Sequence, residues 1–225
     1  MNDTITRDSN CEITRATAEF PRREVIALSP DTLENIRRHP LAFSDLRTEM
    51  LEWLRGLPMP SFSSQVALAP SEIAGYGLRA RGDIPAGDFV AAETGPRINR
   101  VFVQVVEAAT GYECNTCVGW GEYLVHAPLH VEGKGGYLNH SCNPNVGMLL
   151  DGVWIAIRPI LAGEEVTCDY GTFETMRDWN MECACGEAAC RKHVSWTDYR
   201  DPDLRRRLGR WFAPYLRKQI KPEAA

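Results

Sequence analysis

Between Val66 and Tyr170 the chain is interrupted every few residues by turn-forming groups: Gly82, Pro85 and Gly87, Gly95-Pro96, Gly119 and Gly121, Asn143-Pro144-Asn145, Asp151-Gly152, Pro159 and Gly163. Glycine and proline at such intervals break long regular elements, and the apolar runs between them have the length of short strands. Strands are expected at 65–69, 77–81, 88–94, 121–126, 145–150, 153–158 and 164–169, with Asp151-Gly152 forming a hairpin turn. Residues 100–109 could be strand or helix, since periodicity does not decide between them. Two segments echo one another as turn then strand: Ile84-Pro-Ala-Gly-Asp-Phe-Val90 and Ile160-Leu-Ala-Gly-Glu-Glu-Val166. The match is too short to establish a duplication.

The flanks read differently. Residues 1–24 are polar and irregular, which suits a mobile tail. Ser29-Pro30-Asp31 is a helix start, with serine as N-cap, proline at N1 and an acid in the first turn, and Pro40 ends that helix near Arg38. A second helix runs from Ser44, with Phe43, Leu46, Met50, Leu54 and Leu57 at helical spacing and Gly56 as its stop. It reads as a packing accessory, with partner binding as the alternative. Pro58, Pro60 and the serines of 61–64 resemble a linker. From Asp201-Pro202 to Ile220 a helix kinked at Pro214 is expected. Leu204, Leu208, Trp211, Phe212, Tyr215 and Leu216 form its apolar face, and Arg205, Arg206, Arg207 and Arg210 a basic one, either solvated or facing an acidic partner.

The chain has 225 residues, 24% of them charged, and a net charge of −5. A globule of this size buries enough surface to stand without disulfides. The acidic balance argues against direct nucleic-acid binding. No apolar run is long enough to span a membrane, and the start of the sequence lacks an export signal, so a cytoplasmic or nuclear setting is expected. The eight cysteines then point to a metal or a reactive thiol rather than a disulfide framework. Cys183, Cys185 and Cys190 supply three thiolates within eight residues. Tetrahedral zinc needs a fourth, and Cys142, in a rigid turn, is the natural donor. A closed four-thiolate site would be structural.

Three further segments carry chemistry: Gly75-Tyr76-Gly77, then Tyr137-Leu-Asn139-His140-Ser-Cys142-Asn-Pro-Asn145, then Gly163-Glu-Glu-Val-Thr-Cys168-Asp-Tyr170-Gly171. A Gly-x-Gly before a strand is a tight turn that also permits close approach of backbone to a ligand. Four polar side chains beside hydrophobic strands, as in 139–145, need partners. A tyrosine at a strand end is ordinarily buried with its hydroxyl bonded. A separate set, Cys114, Cys117, His126 and His130, has the order of a zinc finger but too short a gap. Its alternatives are a second metal, a redox pair or plain insert residues.

Taken jointly, these motifs resemble the SET-domain lysine methyltransferases over about residues 65–195. The resemblance implies a mainly β fold with some α: small curved β-sheets with a knot-like threading of the C-terminal segment. The implied organisation is a tail with accessory helices (1–64), a catalytic domain (65–180), a zinc segment after it (181–195) and a helical extension (196–225). It also implies transfer of a methyl group from S-adenosylmethionine to a protein or peptide lysine. Gly75, Tyr76 and Gly77 would cradle the cofactor with Asn139 and His140, Tyr170 would face the transfer centre, and Cys142, Cys183, Cys185 and Cys190 would hold structural Zn2+. Trp120, Tyr123, Tyr137 and Cys168 are candidates for the substrate channel, with core packing as the alternative for the three aromatics. Cys168 stands where relatives usually carry Phe or Tyr, and its small size would leave room for di- or trimethylation. N-methylation of a small amine and a silent SET module that only binds a partner are the alternative functions.

Overall fold

The computed structural model describes residues 30–39, 42, 44–129 and 136–219. Helices α1 (Pro30–Arg38) and α2 (Ser44–Arg55) lie where the sequence places them and pack against α3 (Arg100–Thr110). The expected N-cap Ser29, Phe43, the tail 1–24, His130 and Ile220 fall outside the described residues.

The undecided stretch 100–109 is the helix α3. Asn99 caps it by accepting from the Phe102 N–H at 3.0 Å, and Gly111 at φ 77° ends it. Its buried face is nearly continuous, including Phe102, Val103, Val105 and Val106, which is why a period was hard to read. Helix is favoured here because both caps satisfy backbone groups that a strand would leave to neighbours.

Thirteen short strands form four sheets among the described residues. The first sheet has the order β1 (Ser61–Phe62), β4 (Phe89–Ala92), β10 (Val153–Ala156), β9 (Val146–Leu150), and β9 and β10 form the expected hairpin with Gly152 at φ 72°. The second is β2 (Val66–Pro70), β3 (Tyr76–Ala80), β11 (Glu165–Cys168), β8 (Asn139–His140). The third is β5 (Arg97–Asn99), β7 (Glu122–Val125), β6 (Asn115–Gly119), and β12 (Asn180–Glu182) pairs with β13 (His193–Ser195).

Two expectations need correction. Residues 58–64 are not a free linker: Ser61 and Phe62 pair with Ala92 and Ala91, and the Pro58 carbonyl accepts from Ala127 N–H at 3.0 Å. The C-terminal stretch is not one kinked helix. α4 (Pro202–Leu208) gives way to a 3-10 turn at Gly209–Trp211, and Pro214 begins a separate helix, α5 (Pro214–Arg217), instead of bending the first. Gly209 weakens the helix, and proline suits a first turn, where its missing N–H costs nothing. The predicted apolar face still buries Leu204, Leu208, Phe212 and Leu216 in one cluster.

The echoed segments meet. Ile84 and Ile160 exchange backbone hydrogen bonds at 2.8 and 2.9 Å. Gly87 N–H donates to the Ala156 carbonyl and Gly163 N–H to the Ala80 carbonyl, both at 2.8 Å, and Ala156 and Ala80 donate back to Asp88 and Glu164. The two turns are thus related by a local two-fold axis, which joins the first and second sheets. The main core, containing Trp154, Leu78, Ile84, Ile160 and Met148, lies around this junction. Each such side chain contributes roughly 1.5–3 kcal/mol by leaving water.

Candidate active site

β8 and β11 run parallel, with Asn139 opposite Thr167 and Cys168 opposite His140. Ser141 N–H donates to Cys168 O at 2.9 Å and Asn145 N–H to Thr167 O at 3.1 Å, while Thr167 N–H donates to Asn145 Oδ1 at 2.8 Å. The polar turn 139–145 thereby finds the partners that its composition demanded, and it locks the segment leading to Tyr170 beside it.

Tyr170 is held twice by the same segment. Its hydroxyl donates to Leu138 O at 2.8 Å, and its backbone N–H donates to His140 Nδ1 at 3.1 Å. Nδ1 is therefore an acceptor, and the ring hydrogen sits on Nε2, 3.3 Å from Cys142 Sγ. Burial lowers His140 to about 4, so the ring is neutral at neutral pH. Burial, with lesser help from nearby acids, pushes the Tyr170 hydroxyl well above its ordinary value, and it stays protonated.

Both residues face a cavity of about 900 Å³. Gly75, Tyr76, Tyr137, Asn139, His140, Cys168 and Tyr170 all line it. Gly75 takes φ 51°, a conformation that favours glycine, and the turn is pinned by Asn139 Nδ2, which lies 3.1 Å from Ala74 O and 3.2 Å from Tyr76 O. Gly77 serves differently from the expected cradle. A Cβ there would lie 2.5 Å from Glu165 Oε1 and 2.9 Å from Asn139 Nδ2, so its bareness accommodates the Asn139–Glu165–Ser71 cluster behind the wall.

Of the channel candidates, Tyr137 and Cys168 are buried in the cavity wall, and the Tyr137 hydroxyl donates to Glu93 Oε1 at 2.9 Å. Tyr123 is fully buried with its hydroxyl 3.1 Å from Glu174 Oε1, supporting a wall residue from behind. Trp120 lies elsewhere. It is half exposed, its ring edge-on to Tyr199 and Tyr215 at 5.6 and 5.5 Å, because the Gly119–Gly121 turn carries it to the surface.

The cavity is acidic. Among the described residues, Glu93, Glu107, Glu113, Glu174 and Glu182 line it, against one arginine, Arg37. Burial raises both Glu107 and Glu174 to about 7. These acids lie outside the sequence motifs. The only signal for Glu93 is a lone charge directly after the apolar run Phe89–Ala92.

The four cysteines converge as expected. The sulfurs of Cys142, Cys183, Cys185 and Cys190 lie within 4.8 Å of one another, with Cys142–Cys183 at 3.9 Å and Cys183–Cys190 at 3.6 Å. Zinc–sulfur bonds of about 2.3 Å give a tetrahedral edge of about 3.8 Å, so this donor set fits zinc. Arg191 and Lys192 N–H groups point at Cys142 and Cys190 sulfurs at 3.3 and 3.4 Å, as thiolates require. The Arg191 guanidinium grips buried Asp169 with two bonds at 2.6 and 2.7 Å, one residue before Tyr170. Sequence reasoning missed this Asp169–Arg191 link, although both residues flank motifs it used.

Cys114, Cys117 and His126 form no such group among the described residues. Cys117 is buried against the Tyr215 hydroxyl at 3.3 Å, and burial pushes Cys114 up to about 12. They behave as interior residues, and His126 faces the cavity.

The SET domain family model matches residues 75–171. Over those residues the chain is similar to a SET domain. It is 32% identical over 144 residues to a putative histone-lysine N-methyltransferase, ASHH4, from Arabidopsis thaliana, covering 58% of this chain and 39% of that protein. It is also 32% identical over 138 residues to an H3 lysine-36 specific histone-lysine N-methyltransferase from Mycosarcoma maydis, covering 56% and 14%. The chain thus spans well under half the length of these curated relatives. The methyltransferase domain of human SETMAR superposes with a TM-score of 0.47 at 22% identity, over 60% of each chain. Within the matched residues fall Gly75–Gly77, Asn139–His140, Cys168 and Tyr170, while Cys183, Cys185 and Cys190 lie beyond the matched end.

Proposed function

We propose that this chain transfers a methyl group from S-adenosylmethionine to a lysine side-chain amine of a protein. The observation that carries the reading is the fixed placement of the Tyr170 hydroxyl on the Leu138 carbonyl, in one cavity with the Gly75 turn and the Asn139–His140 pair. The names of the SET relatives, all histone-lysine N-methyltransferases, support a protein lysine. When bound, the cofactor supplies a methyl on a positively charged sulfur. Gly75, Tyr76, Asn139 and His140 would hold it, with Gly77 supporting Asn139 from behind. Tyr170 would orient the reacting groups without taking or giving a proton, since burial keeps its phenol neutral. In-line displacement depends on such alignment for much of its rate. The acidic wall suits a cationic acceptor, and the small Cys168 leaves room for more than one methyl on it.

The four cysteines would hold one structural zinc ion, joining the segment 181–195 to the catalytic domain of 65–180. Residues 44–62 and 196–219 are packing elements around that domain.

Labelled cofactor with mixed protein and small-amine acceptors tests the reading. Label should appear on protein lysines and fall on the order of 10²-fold in Tyr170→Phe. Label confined to a low-mass amine would replace the acceptor class, and cofactor binding with no transfer to any acceptor would reject the enzyme reading. Mass spectrometry showing only monomethylated product would overturn the role given to Cys168.

A further inference from the structure

Glu93 is 7% exposed and lines the cavity shared by Tyr137, Cys168 and Tyr170. It directly follows β4, and its backbone N–H is fixed on Gly152 O at 2.9 Å. One carboxylate oxygen, Oε1, accepts from the Tyr137 hydroxyl at 2.9 Å. The other, Oε2, is buried and has no hydrogen-bond partner among the described residues. A buried carboxylate oxygen left unpaired costs free energy that a structure does not normally tolerate without a use for it. Trp154, also in the cavity wall, has an indole N–H with no partner among the described residues, so polar capacity remains on this wall after the bonds among them are made. His126 packs against Tyr137 in the same cavity, and the titratable groups that the charge of Glu93 reaches include Tyr137, Cys168 and Tyr170. Burial pushes all three above their ordinary values, and the charge of Glu93 adds to that in each. They are neutral at neutral pH. No Lys, Arg or His among the described residues forms an ion pair with Glu93.

We propose that Glu93 Oε2 receives the acceptor ammonium in this cavity and takes its proton, making Glu93 the general base for the methyl transfer. The proposal rests on the methyltransferase reading. An ammonium is a donor only, so it complements an acceptor oxygen that the fold leaves unpaired. The acceptor's N–H bond breaks as the Oε2–H bond forms, giving a neutral carboxyl and an amine with its lone pair free. That lone pair forms the N–C bond to the methyl carbon while the C–S pair leaves with sulfur. The product is a methylated ammonium, and the proton on Glu93 returns to water through the cavity mouth. The residue at position 168 assists by being small, since a larger side chain there would take space between Glu93 and Tyr170 on the same wall.

Two measurements on the full-length protein decide it. The first needs no turnover: n-butylammonium chloride is titrated into wild type and Glu93→Gln, following the Trp154 indole N–H resonance. Wild type should bind it at least tenfold more tightly than the variant, and equal affinity overturns the proposal whether or not the chain is a methyltransferase. The second compares kcat with pH on any acceptor that wild type labels. Glu93→Gln should be about 10²-fold slower near pH 7.5. Its deficit should shrink about tenfold per pH unit towards pH 10, as solution supplies the neutral amine. Glu93→Asp should recover part of the rate. A deficit that stays constant with pH overturns the proton-accepting role. If wild type labels no acceptor while butylammonium still binds through Glu93, the methyltransferase reading fails and the ammonium site stands.

Discussion

Glu174 accepts from the Met176 N–H at 2.6 Å and from the Tyr123 hydroxyl at 3.1 Å, yet burial outweighs both bonds and raises it to about 7. Unfolded, it would ionise near 4.5. Between these values the folded chain holds a proton that the unfolded chain has lost, so stability falls as pH rises through that window. The expected outcome is a drop on the order of 3 kcal/mol between pH 4.5 and pH 7 from this group, largely absent in Glu174→Gln, read by urea denaturation at a series of pH values. Glu107, also raised to about 7, adds to the same slope. The Asp169–Arg191 pair contributes at the same scale through its geometry. Asp169 has no exposed side-chain surface, and the Arg191 fork is its main compensation. Arg191→Met would strand a buried charge, and the expected loss is about 3 kcal/mol of unfolding free energy. Because Arg191 also donates its backbone N–H to Cys142, the side-chain variant separates this electrostatic support from the thiol cluster.

The elements are short, and their junctions depend on close approach. Gly95 lies between β4 and β5, and a Cβ there would sit 1.9 Å from the Val125 carbonyl oxygen. Gly95→Ala must therefore move the β5–β7 pair, and a stability loss of about 2 kcal/mol or more is expected by thermal melting. Asn99→Ala, which removes only the α3 cap, should cost about 1 kcal/mol. The contrast between these two variants measures how much of this region is held by packing and how much by local helix stability. Seven strands were legible because alternation and turn residues bracket them. β1, β5, β6, β8, β12 and β13 were not, since segments of two to five residues become strands through their partners rather than through their own pattern. The echo of Ile84–Val90 with Ile160–Val166 was visible, but only the fold shows that the two turns bond to each other.

At the scale of the whole molecule, the cavity draws on segments from Arg37 to Ala184, and the thiol cluster ties residue 142 to residues 183–190. Elemental analysis should find about one zinc per chain, and Cys183→Ala should lose it. Metal loss should lower the melting temperature and expose the β12–β13 pair to proteolysis, while a metal-free preparation with unchanged melting would remove the zinc assignment. No helix among the described residues is long and apolar enough to cross a membrane.

The sequence by itself determined the strand-rich core, the first two helices, the three motif segments and the four thiols, because each is written in local residue types whose chemistry admits few uses. Tertiary structure alone decided that Tyr170 lies on Leu138, that Gly77 makes room for Glu165, that Trp120 lies outside the cavity and that one buried Glu93 oxygen is left without a partner among the described residues. Those outcomes depend on which distant segments are brought within a few ångströms, and neither burial nor an unpaired oxygen can be read until the neighbours are in place.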